Sequence, residues 1–136
     1  SLGQVTIEER QRAELPSTLM SNTKSKIVLT SNNQLDGRTT ADVMSGQSLS
    51  GQYFISSNTD QTIRINVSDN NVDGDISLNH FTLVYKGRLY TSFPVTGLSS
   101  PGKGENVYIG FTATVKPSAV AGERNLSYEI DVTEED

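Results

Sequence analysis

Cysteine is absent from this chain. Its absence excludes disulfide scaffolds, thiolate zinc sites and cysteine nucleophiles together. Histidine occurs once, at His80, so no two-histidine metal site can form and any serine-type relay would depend on that imidazole alone. No Gly-x-Ser-x-Gly elbow accompanies it. No apolar run approaches the roughly eighteen residues that span a bilayer, and the chain does not open on the charged and apolar regions of a signal peptide. Membrane insertion is therefore not expected. Lys and Arg number 11 against 16 Asp and Glu, a formal net charge of -5 with a pI near 4.8. That balance argues against a phosphate-binding surface, because nucleic-acid binders cluster cations.

What is present is enough for one core. A domain of 136 residues buries roughly two-thirds of its unfolded surface without metals or disulfides. Period-two alternation, which puts every second side chain on one face of a half-buried strand, recurs along the chain. Over 61–68, Ile63, Ile65 and Val67 alternate with Thr62, Arg64 and Asn66. Over 126–133, Leu126, Tyr128, Ile130 and Val132 alternate with Ser127, Glu129 and Asp131. A longer strand is expected over 108–116. Further strands are expected over 26–30, 52–56, 81–86 and 88–93, where β-branched and aromatic residues lie between turn signals. Lys86-Gly87 would close the last two into a hairpin, and Asp36-Gly37 and Asp73-Gly74 are turn dipeptides. Seven to eight short strands at this spacing define an all-β sandwich or barrel.

The first residues differ in kind. Helix formers fill 6–15 up to Pro16, yet Ile7 and Leu15 are the sole large apolar side chains there, too few for a buried helical face. A terminal arm or a polar edge strand fits equally. We take 1–14 as an N-terminal arm and 15–136 as the sandwich domain.

Two loops carry partial motifs. Gly97 to Gly104 approaches a phosphate-cradling loop, but Gly104 stands where Ser or Thr should hold magnesium, and a strand follows. It reads as an inter-strand loop. Asp69-Asn70-Asn71-Val72-Asp73-Gly74-Asp75-Ile76 matches the first half of an EF-hand calcium loop, with Asp69, Asn71, Asp73 and Asp75 as the oxygen ligands. Position twelve is His80 instead of the closing glutamate. A polar turn whose side chains bond their own backbone is the competing reading. No nucleophile, base or cofactor cradle assembles from this inventory, so the expectation is a protein that is not an enzyme. Calcium at that turn is the one cofactor considered.

Read together, Gly51-Gln52-Tyr53-Phe54-Ile55-Ser56, Gln61 to Val67, Ile76-Ser77-Leu78-x-x-Phe81, Val107 to Val115, Pro117 to Gly122 and Tyr128 to Val132 resemble an exported bacterial family designated domain of unknown function forty-four-oh-two. More distantly the chain is similar to fimbrial pilins. The likeness covers about residues 15–132 and is one of strand register. It implies an immunoglobulin-like antiparallel sandwich in the bacterial periplasm, at the cell surface or outside the cell, with no active site to carry over. The leading expectation is a structural or adhesive, fimbria-like subunit that associates with protein, including itself, through strand edges. Its donor would be the arm, with Val5 and Ile7 as alternating anchors. The alternative is a carbohydrate- or protein-binding module, with Tyr85, Tyr90 and Phe93 as contact aromatics.

Overall fold

The computed structural model describes residues 4–71, 74–119 and 126–136. Among them are nine strands: β1 (Val5–Gln11), β2 (Ser25–Leu29), β3 (Gly51–Ser57), β4 (Ile63–Asp69), β5 (Ile76–Tyr85), β6 (Arg88–Tyr90), β7 (Val95–Leu98), β8 (Glu105–Val115) and β9 (Tyr128–Glu134). They form two antiparallel sheets, so the architecture is the expected all-β sandwich with slightly more strands than seven to eight.

The larger sheet is organised by β8. Along one side of β8 run two strands end to end: β3 pairs its first half, Gly51 opposite Ile109, and β2 pairs its second half, Leu29 opposite Phe111. Along the other side lies β5. β1 extends the sheet beyond β3, and β6 extends it beyond β5. The smaller sheet is β7-β4-β9. Alternation drives the two together: Ile63 and Ile65 of β4 and Ile55, Leu83, Val107 and Ile109 of the larger sheet are wholly shielded from solvent. Each such side chain contributes about 1.5–3 kcal/mol on leaving water.

One strand breaks period two, and the break explains its sequence. In β5, Asn79 faces Thr112 and Thr82 faces Gly110, so three steps on β5 match two on β8. The extra residue is a β-bulge with His80 at φ 49°. The bulge shifts the inward phase from Ile76 and Leu78 to Phe81, Leu83 and Tyr85, all of them buried. Without it a one-residue slip would turn half the strand's apolar set to solvent.

Several boundaries move accordingly. β5 begins at Ile76 and not at Phe81, and β6 stops at Tyr90. β7 was not expected; its buried Val95 and Leu98 stand three apart, across a bulge that holds Gly97 at φ 68°. Lys86 and Gly87, at φ 50° and 77°, make the two-residue hairpin turn between β5 and β6. The helix formers at the start adopt strand: Val5–Gln11 pairs with β3 from Val5 opposite Ser57 to Gln11 opposite Gln52. Half of the segment read as an arm, Val5–Gln11, is thus an edge strand of this sheet.

Candidate functional site

The sheets' inner faces are filled by the core, which leaves the outer faces to meet other molecules. On the outer face of the larger sheet β2, β8 and β5 lie side by side, and their outward residues are mostly polar, with Val28 the apolar exception on β2. Lys26 stands opposite Thr114, and Val28 opposite Thr112, which in turn faces Asn79. Over these strands opens a groove of about 1020 Å³. That is the upper end of the range for small-ligand sites, about 300–1,000 Å³.

The concavity has a local cause. Where β8 should next present an outward side chain it has Gly110, and the chain leaving β2 crosses directly above. A Cβ at Gly110 would sit 2.5 Å from the Leu29 carbonyl oxygen and 2.8 Å from the Ser31 nitrogen. Glycine thus lets Thr30 and Ser31 fold over the sheet as one end wall. A second wall is the segment after β2. Thr39 Oγ1 accepts from the Val28 amide at 3.0 Å and Thr40 Oγ1 from the Lys26 amide at 2.9 Å. The Asp36 and Thr40 amides donate back to the Val28 and Lys26 carbonyls. Threonine side chains here stand in for a neighbouring strand and close the outer edge of β2. The far side is formed by His80 on the bulge and by Leu89 and Thr91.

The lining carries Lys24, Lys26 and Arg38 and no carboxylate. Arg38 bonds Asp36 at 2.9 Å; that hydrogen bond, with a second from the Arg38 amide, holds the Asp36 carboxyl below its usual range. Even with Asp36 set against Arg38, the two lysines leave the groove positive on a chain whose net charge is -5. In the floor, Thr82 Oγ1 is buried without a hydrogen-bond partner, a state that few native hydroxyls occupy. His80 Nδ1 lies 3.1 Å from Asn79 Oδ1, an amide oxygen and not a carboxylate. The arrangement offers hydroxyls, an amide and cations beside apolar side chains such as Val28 and Leu89, the equipment of recognition.

Of the residues singled out in the sequence, His80 lines the groove and the others lie elsewhere. At the calcium-like turn, Asp69 Oδ1 accepts from the Asn71 amide at 2.8 Å and Oδ2 from the Leu78 amide at 3.0 Å. Asn71 donates to the Ile76 carbonyl at 3.0 Å and accepts from the Ser127 amide at 3.2 Å. These side chains knot β4, β5 and the entry to β9 together. Asp75 follows in the same turn; Asp73 lies outside the described residues. Among the described residues no three acidic, His or Cys side chains gather in metal-binding geometry. Of the donor anchors, Val5 packs against the core and Ile7 is 42% exposed on edge strand β1. Tyr85 is buried at 2% exposure and its hydroxyl donates to the Ser99 carbonyl at 2.6 Å. Tyr90 and Phe93 pack partly buried on the core. The rings expected to contact a ligand are therefore structural. Of the stretch 97–104, the first two residues end β7 and 99–104 connects it to β8, held where Ser100 Oγ donates to the Thr59 carbonyl at 2.7 Å.

Sequence reasoning missed the groove residues. A signal existed in the threonine and lysine at alternate positions of β2 and β8, but it does not by itself reveal concavity. Comparison with family models, with curated proteins and with solved structures gives no match to this chain.

Proposed function

We propose that this chain is a non-enzymatic binding domain of an exported, cell-surface protein and that it takes a carbohydrate in the groove over β2, β8 and β5. The observation that carries the reading is a concave surface in which the hydroxyls of Thr40, Thr112 and Thr114 and the Asn79 amide stand among apolar side chains such as Val28 and Leu89. An extended peptide commonly binds a sheet by adding a strand to a free edge; here β8 is paired on both sides, and the outer edge of β2 is closed by Thr39 and Thr40. A polyhydroxylated ligand needs only the side-chain donors and acceptors that Thr112, Thr114, Thr40 and Asn79 supply. The exported location rests on the resemblance in strand register alone. Glycan-array binding that is lost in Thr112→Glu, with the fold intact by circular dichroism, is the expected result. A silent array with folded wild-type protein overturns the reading.

A second reading, self-association through strand edges, is favoured by one observation. β1 lies at the rim of its sheet, mostly exposed, directly over the wholly buried Ile55 of β3. Exchange of β1 between copies would preserve every pairing and build a fimbria-like assembly. Against it, β1 carries Glu8, Glu9 and Arg10 and bulges between Glu9 and Gln11, devices that discourage edge pairing. Deletion of residues 1–14 should abolish oligomers on gel filtration if exchange occurs; unchanged oligomer size rules it out.

A further inference from the structure

We propose that the groove selects a carboxylate-bearing polysaccharide, a chain of uronic acid units. The inference rests on the carbohydrate reading above and adds the ligand's charge. Three cations, Lys24, Lys26 and Arg38, line the groove and no Asp or Glu does. On an acidic chain this is a local reversal of sign. It is sharpened by the outer face of the smaller sheet, where Glu129 and Asp131 stand outward on β9 opposite Ser68 and Asn66. A field of this form draws an anion toward one face and repels it from the other.

The placement of the cations suits a repeating anion. Lys26 rises from the floor on β2, while Arg38 stands on the side wall with 72% of its side chain exposed, tethered by Asp36. Between them Thr40, Thr112 and Thr114 supply hydroxyls. Successive units of a uronate chain present the same alternation of carboxylate and hydroxyl. A neutral glycan would satisfy the hydroxyls and leave the Lys24 and Lys26 ammonium groups without an anion in the groove. An acidic glycan gives each a charge-assisted hydrogen bond, about twice as strong as a neutral one.

The test is calorimetric titration of the full chain with an oligogalacturonate, with the methyl ester of the same oligosaccharide, and with oligoglutamate of matching charge. The acid should bind, weaken with added salt, and lose about tenfold in affinity on esterification. The double variant Lys26→Gln/Arg38→Gln should lose at least as much, while Arg64→Gln on the opposite sheet should lose nothing. Equal affinity for acid and ester, insensitive to the double variant, overturns the acidic selectivity and leaves the carbohydrate reading standing. Oligoglutamate binding as tightly as the oligogalacturonate overturns the polysaccharide class. Binding of none of the three by protein with native circular dichroism overturns the selectivity, and a silent array alongside it removes the carbohydrate reading as well.

Discussion

The outer faces of the two sheets are made by the same alternation and end as different surfaces. On β4 and β9 the outward residues pair as Arg64 with Thr133, Asn66 with Asp131 and Ser68 with Glu129, a polar face with two carboxylates and one guanidinium. On β2 and β8 they pair as Lys26 with Thr114 and Val28 with Thr112, beneath walls that neither strand itself supplies. The difference teaches that strand pattern fixes which residues face outward, whereas the path of the connections decides whether that face becomes a site. Gly110 and the segment 36–41 are those deciding elements.

Substitutions in the shared inner layer erase the comparison, because both faces depend on one core. Ile65→Ala, at a wholly buried position in β4, should cost about 2–5 kcal/mol by chemical denaturation. Ile109→Ala in β8 should match it, since the two isoleucines meet in one core. Gly110→Ala separates scaffold from site. The new methyl meets main-chain atoms that cannot rotate away, so stability should fall by about 1–3 kcal/mol and the wall at Thr30 and Ser31 should shift. The equivalent outward change on β4, Asn66→Ala, should stay within about 0.5 kcal/mol.

Alkaline pH tests the core in the opposite direction from truncation. Burial, with the nearby Glu105 charge, pushes the Tyr85 hydroxyl up to about 12. Tyr128 is also raised, by burial first and by the hydrogen bond it shares with the Tyr53 hydroxyl. An unfolded tyrosine ionises near 10, so the fold favours the protonated form. The resulting stability is complete below about pH 10 and is lost progressively as pH climbs toward 12. Denaturant midpoints should hold steady up to about pH 10 and then fall, with phenolate absorbance from these rings appearing only on unfolding. Normal titration of all five tyrosines in folded protein would contradict the packing of Tyr85 and Tyr128. The smallest structural effect belongs to charge. Lys26→Glu and Arg64→Glu should each change stability by under about 0.5 kcal/mol, and the first alone should weaken acidic-glycan binding.

Legibility in the sequence followed the same division between local pattern and long-range path. β4 and β9 were readable because Ile63, Ile65 and Val67, and Tyr128, Ile130 and Val132, keep strict period two. β5 was half-readable: the bulge at Asn79 and His80 resets the phase, so the strand was seen to begin only at Phe81. β7 was hidden because a four-residue strand with a bulge at Gly97 has no period to display. From sequence β1 stays open between an arm and a polar edge strand, because Glu, Arg and Gln favour helix and show no strand pattern, while the open edge of β3 takes them as a strand and leaves their charges in water. The turn at Asp69 to Asp75 offered oxygens that a calcium loop also needs, and the structure shows Asp69 and Asn71 bonded to backbone amides and carbonyls. The groove was not legible. Its walls come from residues 30–40 folding over β8, some seventy residues later in the chain, and no local pattern records that crossing.

The central claim, that this concave outer face is where the protein meets its ligand, is tested most directly by amide chemical-shift mapping of the full chain titrated with oligogalacturonate. Shifts concentrated at Lys26, Arg38, Thr82, Thr112 and Thr114, with β4 and β9 silent, are the expected result. Shifts along β1 and β3, or none at all, would contradict it.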